Sequence, residues 1–179
     1  MRRLFLPLAL TGLLLAGCGE DEQPRPRAGA VSGPGFTTEK PAGFTGSGAQ
    51  GGAGGGVVLT LVGPYSASDR FPPNVTVART PAPPNSSAER LRGSIRAQTE
   101  AQGGRNVDEL SDRKIDGVPA IGVSSSRTVP RTQVTQRTYA VVHDRSLYTI
   151  AATTPRESRV DGRKALETVF EAWRWVEVR

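Results

Sequence analysis

The chain has 179 residues, a formal net charge of +6, one cysteine and one histidine. That length suits one domain. A single cysteine cannot close a disulfide within the chain, and one histidine with one cysteine makes a multi-ligand zinc centre an unpromising reading. Of the 23 basic residues only Lys40, Lys114 and Lys164 are lysines, and the arginine excess accompanies 21 Gly and 14 Pro. This fits the codon bias of a GC-rich genome better than a nucleic-acid footprint, so no nucleic-acid partner, metal or cofactor is expected.

Arg2 and Arg3 precede an apolar run over residues 4–15 that is interrupted by Pro7, Thr11 and Gly12. A dozen residues fall short of the roughly 20 that span a bilayer, which favours a signal segment over a permanent membrane helix. The run ends at Leu15-Ala16-Gly17-Cys18, which resembles the lipobox of bacterial lipoproteins. That resemblance implies a signal peptide over 1–17, cleavage before Cys18 and lipidation of Cys18. Two or more acyl chains would give stable anchoring where one is marginal. The expected location is therefore extracytoplasmic, held to the cell membrane by lipid.

Residues 18–56 are expected to comprise the lipidated cysteine and a disordered linker. The segment is rich in Gly and Pro and poor in apolar side chains that could offset ordering entropy. The glycines at 51–56 are not followed by Lys-Ser or Lys-Thr, so they do not read as a phosphate-binding loop. A globular domain is expected over 57–179. It opens with an apolar strand at 57–62 and, after Gly63-Pro64 and Phe71-Pro72-Pro73, a second strand at 74–80. Prolines 81, 83 and 84 break the chain, and Asn85, Ser86 or Ser87 can cap a helix to about Gln102. Ala88, Leu91 and Ile95 form its thin apolar stripe, and Gly103-Gly104 ends it.

Four further strands are predicted at 107–115, 118–128, 132–143 and 147–154, the first being the weakest. Asp116-Gly117, Pro130-Arg131 and Asp144-Arg145 separate them, and Asp116-Gly117 is a strong hairpin signal. A final helix, capped by Asp161, places Ala165, Leu166, Val169, Phe170 and Trp173 on one side, with Trp175, Val176 and Val178 as a short strand or packed tail. The order β-β-α-β-β-β-β-α suggests an α+β fold, an antiparallel twisted sheet flanked by helices.

The lipobox, the polar linker, Phe71-Pro72-Pro73-Asn74-Val75-Thr76-Val77, Asp116-Gly117-Val118-Pro119-Ala120, Leu147-Tyr148-Thr149-Ile150 and Trp173-Arg174-Trp175 occur in that order. The series resembles the LpqN/LpqT-type actinobacterial lipoproteins, whose domain is similar to the Mog1/PsbP fold. The resemblance covers about residues 57–177. It implies a cell-envelope lipoprotein carrying a binding or assembly module, and it supplies no catalytic residue.

Several side chains stand out as candidates. Arg127, Arg131 and Arg137 lie on two successive strands and the turn between them, a possible basic patch for lipid headgroups, phosphorylated glycans or an acidic partner; a solvated edge that resists aggregation is the alternative. Tyr65 and Phe71 are candidate aromatics for the mouth of a groove. His143 is the one residue around which a Ser-His-Asp arrangement could form, with Asp144 or Ser124-Ser125-Ser126 nearby in sequence, but it reads more simply as a polar hairpin residue. Asp108, Glu109 and Asp112 are closely spaced carboxylates, best explained as a solvated loop. The leading expectation is a non-catalytic, membrane-anchored envelope protein that binds an envelope lipid, glycan or partner protein. The alternatives are a hydrolase of envelope components built on His143 and a structural assembly factor.

Overall fold

The computed structural model describes residues 29–48, 55–65 and 70–177. The expected signal segment 1–17, Cys18 and Val178 lie outside the described residues. The described elements are β1 (Ala30–Gly33), β2 (Phe36–Glu39), β3 (Thr45–Gly48), β4 (Gly56–Val62), β5 (Asn74–Pro81), α1 (Ala88–Ala101), β6 (Arg105–Ile115), β7 (Val118–Val129), β8 (Thr132–His143), β9 (Ser146–Pro155), α2 (Gly162–Glu171) and β10 (Arg174–Trp175). From β4 onward this is the predicted α+β order, closed by a two-residue strand. Among the described residues no helix is long and apolar enough to cross a membrane.

The meander β6–β9 follows from local chemistry. Asp116 and Gly117 have φ of 45° and 82°, and Asp144 and Arg145 have φ of 43° and 56°. Positive φ at both central residues is the two-residue hairpin turn that matches strand twist. It sets Ile115 opposite Val118 and His143 opposite Ser146. The large antiparallel sheet has the order β3-β4-β5-β9-β8-β7-β6. Because β5 pairs with β9, α1 must carry the chain from the middle of the sheet to the far edge.

Each helix covers one face. Ser87 caps α1, its Oγ accepting from Arg90 N at 3.3 Å. Leu91 and Ile95 then pack on Ile121, Val123 and Ala140. On the opposite face Ala165, Leu166, Val169 and Phe170 of α2 join Leu59, Leu61, Val75, Val77, Tyr139, Val141 and Ile150 in the main core. The alternation along β7 and β8 divides their side chains between the two cores.

The structure corrects the expected linker. Residues 29–48 belong to the fold: β3 adds an edge strand to the large sheet, while β1 and β2 pair with β10 in a small sheet. Phe36 is 0% exposed and stacks on Trp173 with ring centroids 4.1 Å apart at 10°. Thr38 Oγ1 donates to Val169 O at 2.6 Å, and Tyr148 Oη donates to Pro34 O at 3.1 Å. Phe44 is also buried. Average composition across the window conceals these two aromatic anchors, whose burial supplies what the glycines lack. Gly46, at φ +133°, meets the Thr60 carbonyl so closely that a Cβ there would collide with it, so a glycine serves the pairing of β3 with β4.

Candidate functional site

Three connections converge at one end of the large sheet and enclose a cleft of about 1290 Å³. The β4–β5 connection contributes Tyr65, Arg70 and Phe71, the β7–β8 turn contributes Arg131, and the β9–α2 connection contributes Arg156, Glu157 and Arg159. Backbone bonds brace all three. Gly63 N donates to Pro73 O at 2.7 Å across the neck of the first, Arg156 N donates to Gln133 O at 3.0 Å between the other two, and Ser158 N donates to Pro155 O at 3.0 Å. Val160 N donates to Ser158 Oγ at 3.0 Å, completing the turn into α2. Pro64 and Pro73 add rigid walls.

The cleft combines apolar ring surface with arginines. Tyr65 is 59% exposed, unusual for so large a side chain, and Phe71 is half-buried. Both predicted groove aromatics thus sit on one wall. Arginine forks bind carboxylate and phosphate oxygens, and aromatic faces accept apolar or sugar surfaces beside them. Arg70, Arg156 and Arg159 were not singled out in sequence; nothing local marks them, since their meeting depends on the tertiary approach of the connections.

Arg127, Arg131 and Arg137 do not form one patch. Arg127 pairs across the ladder with Val134, while Arg137 pairs with Ser124 and Ala152. Strand alternation puts Arg127 on the face of Ile121 and Val123, beside α1, and Arg137 on the face of Tyr139, beside α2. Arg131, at φ 62°, sits at the hairpin tip and enters the cleft. Adjacency along the hairpin concealed this division between faces.

The remaining candidates have defined partners. His143 stacks on Trp175 with centroids 4.2 Å apart at 21°. Its ladder partner Ser146 accepts from Arg79 Nε at 3.0 Å and donates to Asp144 O at 3.4 Å, so no Ser-His pair forms there. Glu109 and Asp112 lie on β6, correcting the predicted loop, and each sits 3.0 Å from the Arg92 guanidinium on α1. The hydrogen bond to Asp112 is the first cause holding Arg92 above its ordinary pKa. Trp173 is fully buried. The Trp175 backbone N donates to Asp116 Oδ2 at 3.0 Å, and its Nε1 to Ile115 O at 3.2 Å. Among the described residues no three His, Cys, Asp or Glu side chains group as metal ligands.

Neither a protein-family profile nor a curated protein sequence matches the chain. Solved structures do. The crystal structure of LpqN, described as involved in cell envelope biogenesis of Mycobacterium tuberculosis, superposes with a TM-score of 0.61 at 12% identity, covering 83% of this chain and 90% of LpqN. The fold is of the LpqN/PsbP type. The solution structure of cyanobacterial PsbP (CyanoP) from Synechocystis agrees, with a TM-score of 0.51 at 17% identity over 90% of this chain and 99% of that one. Identities this low convey the LpqN/PsbP-type architecture and no residue roles. The cleft residues therefore stand on their own chemistry.

Proposed function

We propose that this chain is a lipid-anchored cell-envelope protein whose LpqN/PsbP-type domain binds, without catalysis, an envelope component in the cleft. The braced cleft with Tyr65, Phe71 and four arginines on its walls is the observation that carries this reading. Its chemistry suits an envelope lipid headgroup or glycan with an apolar or sugar face and anionic oxygens. The described role of LpqN in cell envelope biogenesis supports the cellular setting, and the Leu15-Ala16-Gly17-Cys18 series supports an anchor at Cys18.

A photo-crosslinking side chain at position 65 tests the cleft in intact cells, with the same group at Glu89 on exposed α1 as control. Adducts carrying lipid or glycan mass from position 65 alone, diminished by Phe71→Ala, are expected. Equal adduct patterns from both positions would remove the cleft from the account, and a protein adduct confined to position 65 would reassign its occupant. Cys18→Ser should abolish fatty-acid labelling and membrane retention; retention unchanged in that variant would defeat the anchor.

A further inference from the structure

On the α2 side of the large sheet, β6, β8 and α2 enclose a second pocket of about 220 Å³. It shares no wall residue with the cleft. Arg113 from β6, Arg137 from β8 and Arg163 from the first turn of α2 converge on it, with Tyr139, Leu166 and Glu167 completing the wall. Three guanidiniums against one carboxylate leave two positive charges in excess.

The arginines are not consumed by the fold. Glu167 lies 3.9 Å from Arg163 Nε, one helical turn away on the surface of α2. The other ion pairs among the described residues use Arg92 and Arg96, so neither Arg113 nor Arg137 takes part in one. Arg113 is nevertheless held in place. Its guanidinium carbon lies 4.5 Å from the Phe170 ring centre and 5.7 Å from that of Tyr139. Ring contacts of this kind engage the flat face of a guanidinium and leave its in-plane N–H groups for an anion. Arg113 Nε is buried without a hydrogen bond, a condition that buried donors rarely keep in a functioning protein.

We propose that this pocket binds a phosphate monoester. Such a group carries about −1.5 to −2 charge at neutral pH, which matches the surplus of two positive charges. Its three terminal oxygens can accept from guanidinium forks on three sides. With each water of the liquid occupying about 30 Å³, the pocket has room for a phosphoryl group and its ester oxygen. Tyr139 and Leu166 offer the apolar wall against which the esterified carbon would rest. The source is either a lipid headgroup or a small soluble phosphate ester.

The test uses the full chain in neutral detergent micelles. Glycerol 3-phosphate is titrated in by calorimetry in one arm, and phosphatidic acid is doped into the micelles in the other. Arg137→Gln should weaken binding about ten- to a hundredfold, the usual consequence of losing a hydrogen bond to a charged group. Glu167→Gln, which removes the competing carboxylate, should tighten it several-fold, an outcome that damage to the fold cannot imitate. Arg96→Gln on α1 should bind as wild type, and the Arg113 Nε–H resonance should shift on saturation. Tighter binding of phosphatidic acid than of glycerol 3-phosphate would assign a lipid headgroup; equal binding would assign a soluble ester. Absence of binding in both arms, or an Arg137→Gln variant that binds as tightly as Arg96→Gln, would overturn the proposal. Cleft crosslinking at position 65 is unaffected by either result, so the two readings fail separately.

Discussion

Replacing Phe36 with alanine asks whether residues 29–48 help hold the domain together. The side chain is fully buried, lies flat on Trp173 at 4.1 Å and meets Tyr148 edge-on at 6.0 Å. Truncating a buried Phe to Ala costs about 3–5 kcal/mol, and each aromatic pair lost adds about 0.5–1.5 kcal/mol beyond area burial. We therefore expect a loss of about 4 kcal/mol, a large part of the 5–15 kcal/mol typical of a whole domain. In urea, with a slope of about 2 kcal/mol per molar, the midpoint should fall by about 2 M. Equilibrium unfolding followed by tryptophan emission suits the test, because Trp173 is itself in the stack. Phe36→Leu, which keeps most of the volume, should recover the larger part of the loss. A passive segment outside the core would give a change within about 0.5 kcal/mol. That result in Phe36→Ala would refute the inclusion of β1 and β2 in the folded unit.

Asp161→Ala should lower stability by about 1 kcal/mol, seen as a reduced Tm, because Asp161 Oδ1 accepts from Arg163 N at 2.9 Å and from Lys164 N at 3.4 Å. Gly122→Ala should cost about 1–3 kcal/mol by overpacking, since an added Cβ would lie 2.5 Å from the Tyr139 ring; an unchanged urea midpoint would show that the ring moves freely. Tyr148 predicts an alkaline effect. Burial is the first cause raising its pKa above the ordinary 10.0, and Asp144 raises it further against the opposing effects of Arg79 and Ser146. The unfolded chain releases this proton first, so the contribution is fully present below pH 10 and is lost as pH rises through the folded-state pKa. Tyr148→Phe should flatten that loss while costing about 1 kcal/mol at neutral pH through the missing bond to Pro34 O, as pH-dependent unfolding curves would show.

The meander and both helices were legible because their signals are local: two-residue turns at Asp116-Gly117 and Asp144-Arg145, and caps at Ser87 and Asp161. The separation of Arg127 from Arg137 was also within reach. A two-residue turn at Pro130-Arg131 sets Val129 opposite Thr132, and counting back places Arg127 opposite Val134, on the other face from Arg137. The N-terminal strands were not legible in this way. Thr38 finds its acceptor on Val169, 131 residues distant, and Phe36 finds its ring partner on Trp173. A window that reads as Gly- and Thr-rich does not disclose a partner so far along the chain. Tyr65 and Phe71 were visible as aromatics beside prolines. Arg113 and Arg163 were not, because only the docking of α2 against β6 and β8 brings them together.

The inclusion of β1–β3 in the fold changes the length of the leash. With residues 19–56 free, a coil of about 38 residues would have wandered about 35 Å from its anchor on average. Only eleven residues separate Cys18 from Gly29, and at about 3.6 Å per residue they reach at most about 40 Å when drawn straight. The glycines at 51–56 meanwhile fall between β3 and β4, inside the domain, and add nothing to that distance. A domain anchored at Cys18 is thus confined to a thin layer above the bilayer. Confinement of this kind raises its effective concentration toward anything displayed at the membrane surface, and weak individual affinity would suffice for capture there.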